Sequence, residues 1–308
     1  MSARHPERLR RSELSTPATN PKMIAKAAAS NADLVFLDLE DAVAPAAKAA
    51  ARPNIVEGLR TLDWGTKVKA FRINGVHTPW CHDDLVEVIS GAGEQVDVVI
   101  VPKVKSAREV WFVDDLLTQL ELGLGLEPGR IGLEVLIEEV DALARVEEIA
   151  GCSPRLEALI LGVGDLAASQ GMPIGHIGGA DGTAYPGDIW HYARCRLIGA
   201  ARMHGLDAID GPFADFADGP GYHREASWAR ALGAVGKWCI HPSQIEVANR
   251  DFSPTPDEVA DARAVVDAFT EAENRGLGAV THDGVMVDVA SVRLFETVLE
   301  RARRCGVE

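Results

Sequence analysis

The sequence predicts a (β/α)8 TIM barrel with a C-terminal helical extension. Three observations carry that prediction: eight short apolar runs, helical patterns between them, and continuous apolarity within several of the runs. The runs fall at Ser12–Thr16, Leu34–Glu40, Lys67–Asn74, Asp97–Val104, Ile131–Glu138, Leu156–Asp165, Asp207–Phe213 and Gly236–Pro242, and each reads as a strand. Helical patterns fill Pro21–Ser30, Ala47–Thr61, Asp83–Ser90, Ala107–Leu122, Ala142–Ala150, Ile189–His204 and Gly221–Leu232. Pro21 opens the first helix, where its missing N–H costs least. Stretches such as VVIVP and LEALILGVG are apolar without alternation, as expected of parallel strands covered on both faces. Right-handed crossovers close eight such units into a barrel. The open doubly wound sheet is the alternative, but no Gly-x-Gly-x-x-Gly follows the first strand.

This places a catalytic barrel at 1–250 and an extension at 251–308. The extension begins SPTPDEVADARAVVDAF, where Ser253 or Thr255 can cap a helix whose first turn holds Pro256, Asp257 and Glu258. A turn-rich stretch, GLGAVTHDGVMVDVAS, leads to a final helix ending in Arg301, Arg303 and Arg304, cations suited to a helix C-terminus. Val285, Met286 and Val287 call for a packing partner.

A formal net charge of -15 argues against a nucleic-acid surface, which wants basic stripes. A small anionic ligand stays open, because a few placed Arg residues and a metal can overrule the global field. No apolar run reaches the roughly 20 residues needed to span a bilayer. The N-terminal stretch has no apolar core of a secretory signal. Its Arg4, Arg8, Arg10 and Arg11 suit organelle import or a solvated basic leader, and two acidic residues nearby favour the leader. Five cysteines, widely spaced and never in a Cys-x-x-Cys pair, argue against zinc or a disulfide framework. Reduced thiols in a cytoplasmic protein are the expectation.

Barrel chemistry sits where strands end, and here most strands end on a polar group: Asp38, Glu40 and Asp41; Arg72 and Asn74; Lys103; Glu138; Asp165; Asp210; and His241. Glu138 and Asp165 close consecutive strands. Two carboxylates with water and a chelating substrate would make an oxygen-rich octahedral site for Mg2+. A glycosidase acid–base pair is a competing use, and so is simple capping or ion pairing. Arg72 in FRIN suits a carboxylate clamp or an oxyanion partner, or else a salt bridge to the LDLED rim. Lys103 would serve as a Schiff-base lysine only with a lowered pKa. His241 before a proline and Cys239 beside it read as structural.

Taken in order, RSELSTPATNPKMIAKA, VFLDLEDAV, FRINGVHTPW, VIVPKV, LEVLIEE, ALILGVGDLAASQGM, DGPFADFAD, VGKWCIHPSQI and MVDVAS resemble the citrate lyase β-subunit-like and malyl-CoA lyase family over nearly the whole chain. The loop HIGGADGTAY, with DGPFADF and MVDVAS, is more similar to malyl-CoA/β-methylmalyl-CoA lyases than to citrate lyase subunits. The resemblance implies reversible, Mg2+-dependent cleavage of L-malyl-CoA or β-methylmalyl-CoA to glyoxylate and acetyl-CoA or propionyl-CoA, with Mn2+ able to substitute. It implies that Glu138 and Asp165 hold the metal, that Glu40 and Asp41 hold metal-bound waters, and that Arg72 contacts the oxygen where charge develops. Asp288 would reach over a neighbouring subunit's site as an acid–base residue, in a homotrimer or homohexamer. The alternatives are a malyl-CoA thioesterase, a citramalyl-CoA lyase, and a non-catalytic β-subunit of a citrate lyase-type complex. Where the family often has Pro-Gly in its first loop, this chain has Pro17-Ala18.

Overall fold

The computed structural model describes residues 6–175, 177 and 187–307. It divides into two compact units, Met1–Asn249 and Arg250–Glu308. In the first, eight strands form a closed barrel: β1 Ser12–Pro17, β2 Leu34–Asp38, β3 Val68–Arg72, β4 Val98–Val101, β5 Gly132–Ile137, β6 Leu156–Leu161, β7 Asp207–Asp210 and β8 Gly236–Cys239. Each pairs in parallel with the next, and β8 returns to β1 through Glu13 opposite Trp238. Residues two apart on each strand share a face. Leu34 and Phe36, Val68 and Ala70, Val98 and Ile100, Ala158 and Ile160 therefore meet Leu136, Ile209 and Trp238 in one buried cluster.

The strands stop earlier than their apolar runs suggest, and local hydrogen bonds say why. Beyond β2, the Asp38 carboxylate accepts from the backbone N–H of Glu40 and of Ala42, so the chain turns at once. After β6, the predicted strand end Val163–Asp165 instead starts a helix. The helices of this unit are α1 Pro21–Ala28, α2 Lys48–Thr61, α3 Cys81–Ala92, α4 Ala107–Leu124, α5 Val140–Ala144, α6 Val146–Ala150, α7 Val163–Gln170, α8 His191–His204 and α9 Gly219–Leu232, and α10 Ile245–Asp251 runs across its C-terminal boundary. Asn20 caps α1 by accepting from Lys22 and Met23 N–H, with Pro21 at the first position as expected. The single helix predicted over Ala142–Ala150 is broken at Arg145, whose φ and ψ of −117° and 22° are not helical.

The basic N-terminal leader is corrected by the structure. Arg10 is 2% exposed and sits below the barrel core. It donates to Glu134 at 2.6 Å, to Asp207 at 3.1 Å and to Glu157. Arg11 grips Asp33 with two side-chain bonds, at 2.7 and 2.8 Å, and Arg8 pairs with Glu157 and Asp97. These arginines are ligands of buried carboxylates rather than solvated charges; Arg4 lies outside the described residues.

The second unit contains α11 Pro256–Asn274, the antiparallel strands β9 Ala279–His282 and β10 Val285–Asp288, and α12 Val289–Cys305. Thr255, one of the two predicted caps, forms a capping box with Glu258. The turn-rich stretch is a hairpin whose two turn residues, Asp283 and Gly284, have φ of 48° and 79°. That left-handed pair is the geometry a two-residue Asp-Gly hairpin requires. Val287 packs with Val265, Phe269 and Val292 in this unit's own core. Among the described residues no helix is long and apolar enough to cross a membrane.

Candidate active site

The first corner of the site is built by β2 and β3, whose register sets Asp38 opposite Arg72. Arg72 Nε and Nη2 donate to the two Asp38 oxygens at 2.7 and 2.6 Å, while Nη1 lies 3.0 Å from Glu40 Oε2. The guanidinium stands 5.4 Å from the Trp238 ring centre and 5.9 Å from that of Phe36, capping the apolar barrel interior. Its pKa is raised: burial opposes the charge, but Asp38 and Glu40 outweigh burial. The salt bridge to the LDLED rim is thus formed. It leaves two of the five guanidinium N–H groups outside these three contacts.

The LDLED turn is anchored from beneath. Lys48, buried in α2, donates to the Leu39 and Glu40 carbonyls at 2.9 and 2.7 Å and lies over the Trp80 ring. Asn74 bridges the Leu39 carbonyl and Asp84. Lys48 and Asp84 are positioning groups that the pattern of strand ends does not mark. Both lie inside helices, where a charge reads as solvated surface.

Opposite stand Lys103, Glu138 and Asp165. Lys103 follows β4 in the left-handed region with φ of 54°, rare for a residue with a side chain. Its backbone N–H donates to Glu138 Oε1 at 2.6 Å. Its ammonium donates to Glu40 at 2.6 Å and Asp41 at 3.1 Å and lies 3.7 Å from Asp165. Glu138 follows β5 directly, close to its expected place. Asp165 does not end β6; it lies in the first turn of α7, and its side chain is 41% exposed. The structure therefore brings Glu40, Asp41, Arg72, Glu138 and Asp165 to one barrel mouth around Lys103.

Burial, with Asp165 adding to it against the pull of Arg72, pushes the Glu138 carboxyl up to about 8. Burial also raises Glu40 despite Arg72 and Lys103. For Asp41, burial is outweighed by its bonds to Glu40 and Lys103 and by Arg72, and its pKa falls. Lys103 is itself raised, since Glu40 and Asp41 overcome burial. A Schiff-base role needs a lowered lysine, and these ion pairs work against one.

The remaining candidates separate. Asp210 is locked by Arg194 at 2.9 Å and Lys237 at 2.6 Å; they outweigh burial and hold its pKa near about 2. His241 caps a short turn through Ser243 and stacks on Phe216 at 4.5 Å, and Cys239 is buried with its thiol pushed up to about 12 by burial. Both are structural. Asp288 belongs to the second unit, where it caps α12 by accepting from Ser291 N–H and Oγ at 3.0 and 3.1 Å; these bonds hold its pKa low. Most of the HIGGADGTAY loop lies outside the described residues. Ala18 is fully buried, its carbonyl accepting from Asn54.

Among the described residues no group of three or more His, Cys, Asp or Glu side chains is arranged to hold a metal ion. The donor set that converges here is a pair of carboxylates beside a second acidic pair. Hard oxygen donors fit Mg2+, which keeps water and substrate in its remaining positions.

Known proteins share this arrangement of chain and fold. Over 305 residues, 96% of each chain, the sequence is 43% identical to the L-malyl-CoA/beta-methylmalyl-CoA lyase of Cereibacter sphaeroides. It is 34% identical to the malyl-CoA/beta-methylmalyl-CoA/citramalyl-CoA lyase of Chloroflexus aurantiacus over 290 residues, covering 89% of this chain and 82% of that one. The crystal structure of the Mycobacterium tuberculosis protein CitE with magnesium, acetoacetate and coenzyme A superimposes with a TM-score of 0.75 at 33% identity, covering 96% and 97% of the two chains. The family model described as HpcH/HpaI aldolase/citrate lyase matches residues 11–242, the barrel from its first strand to the turn after its last. The chain belongs to the HpcH/HpaI aldolase/citrate lyase family.

Proposed function

We propose that this protein is a Mg2+-dependent carbon–carbon lyase that reversibly cleaves L-malyl-CoA and β-methylmalyl-CoA to glyoxylate and acetyl-CoA or propionyl-CoA. The near-full-length similarity to lyases of that name supports the substrate class. The observation that carries the site is the convergence of Glu138 and Asp165 on Lys103, across one mouth from Arg72. Glu138 and Asp165 would hold the metal ion, with Glu40 and Asp41 orienting its waters. Mg2+, or Mn2+ in its place, supplies Lewis-acid stabilisation of charge developing on oxygen. Arg72, fixed by Asp38, directs its remaining N–H groups at the oxygen of the enolate or alkoxide.

Asp288, ionised by its capping bonds, would take the α-proton of the acyl-CoA in condensation and return it in cleavage. In this reading it acts from a neighbouring subunit of a homotrimer or homohexamer, with the 251–308 extension covering that neighbour's site. The citramalyl activity in the name of the Chloroflexus relative supports the corresponding lyase as a second reading.

Two variants test the assignment. Asp165→Ala should lose Mg2+-dependent glyoxylate release, whereas turnover like that of the parent would sink the metal role. Asp165→Ala mixed with Asp288→Ala should regain activity through hybrid sites; two inactive proteins that stay inactive after reassembly would refute donation between subunits.

A further inference from the structure

We infer that Lys103 is the positioning residue of the cation site, an internal ammonium that ties Glu40 and Asp41 together, offsets one of their two charges, and so steers a divalent ion to Glu138 and Asp165. The inference rests on the proposed function, and it concerns how this chain prepares the site. One residue reaches all four carboxylates. Its backbone N–H takes Glu138, and its ammonium takes Glu40 and Asp41 and approaches Asp165. The left-handed turn at φ of 54° lets both ends of Lys103 serve the same mouth. Such a conformation at a residue with a side chain persists where surrounding contacts hold it.

The contacts are graded in a useful way. Lys103 is hydrogen-bonded to Glu40 at 2.6 Å, but it is only 3.7 Å from Asp165, too far for a hydrogen bond. An arriving ion would therefore take Asp165 without breaking the bond to Glu40. Charge supports the same arrangement. Asp38, Glu40, Asp41, Glu138 and Asp165 face Arg72, Lys48 and Lys103, which leaves two negative charges when all are ionised, the complement of one divalent ion. Without the ammonium, Glu40 and Asp41 would add an unmatched charge beside the ion.

A positive charge next to a divalent ion weakens its binding, so removing the ammonium should tighten it. For one charge beside a divalent ion at about 5 Å in a water-like dielectric, the effect is on the order of tenfold. A residue that merely supported the fold would have the opposite effect when removed.

The test is binding of Mn2+ alone to the full-length protein, read as free Mn2+ by electron paramagnetic resonance. The proteins compared are the parent, Lys103→Met, Lys103→Gly and Lys103→Arg, with circular dichroism reporting the fold. Lys103→Gly accepts the left-handed backbone and so removes the ammonium without losing the turn. Both neutral variants should bind Mn2+ about tenfold more tightly, while Lys103→Arg stays near the parent. Unchanged or weaker binding by the folded Lys103→Gly protein would overturn the inference. A parent protein that binds no Mn2+ would overturn the cation site itself, which separates failure of the proposed function from failure of this step.

Discussion

Gly162, between β6 and α7, tests how tightly the mouth is built. A methyl group there would collide with the Glu138 Cβ and lie 2.6 Å from its Oε2, where ordinary contact begins at 3.4 Å. The backbone at Gly162, with φ of −91° and ψ of 77°, does not demand glycine, so the conflict is steric. Gly162→Ala must therefore displace the Glu138 carboxylate by about 1 Å, against the 2.6 Å bond from Lys103 that holds its other oxygen. A displacement of that size costs on the order of 10²-fold in turnover, and the crowding costs about 1–3 kcal/mol of stability. The assay is glyoxylate release from malyl-CoA across a Mg2+ titration, alongside a urea unfolding midpoint. Gly199→Ala, in α8 with nothing within 4 Å of the added methyl, is the control; it should leave turnover unchanged and gain about 0.5–1 kcal/mol. A Gly162→Ala enzyme within about threefold of parent turnover would refute the claim that ångström-scale placement of Glu138 matters.

Two further expectations follow from buried charges. Arg72→Lys keeps the charge but loses the paired bonds to Asp38, so unfolding should cost about 2 kcal/mol less, with turnover falling too; a parent-like urea midpoint would contradict the clamp. Glu13 is buried on β1, accepts from Trp238 at 2.8 Å through one oxygen and leaves the other without a hydrogen-bond partner among the described residues. Burial first, then the charge of Glu134, raises its pKa well above 4.5. The folded chain thus holds a proton that the unfolded chain releases. The resulting stability is fully present below the unfolded value near 4.5 and is lost as pH rises toward the folded one. Glu13→Gln should flatten that decline above the unfolded value, which in the parent runs at about 1.4 kcal/mol per pH unit between the two values; a Glu13→Gln protein whose stability falls with pH as steeply as the parent's would refute it.

The barrel was legible because its signal is periodic and repeated: runs such as Val98–Val101, apolar without alternation, have few readings besides a buried parallel strand. Its ends were less so. The turn after Asp38 depends on a side chain bonding its own backbone two and four residues on, and Asp165 reads as a strand end only if the run is carried past Gly162, where α7 in fact begins. The Asp-Gly hairpin before Asp288 carried a local signal that a reading of turn-rich composition passed over. Arg10 looked like leader because its partners, Glu134, Glu157 and Asp207, lie more than a hundred residues away. At the site, the carboxylates and Arg72 were marked by strand ends, a feature of topology. Lys103 was marked too, but its role depends on a left-handed backbone that no residue type announces.

The central claim is carbon–carbon bond cleavage assisted by a metal at this mouth. Its most direct test is turnover of malyl-CoA by the purified protein with and without Mg2+, trapping glyoxylate with phenylhydrazine while counting free thiol. Glyoxylate should form only with the metal, matched by acetyl-CoA and without free CoA. Free CoA without glyoxylate, or glyoxylate formed equally well without metal, would contradict the claim.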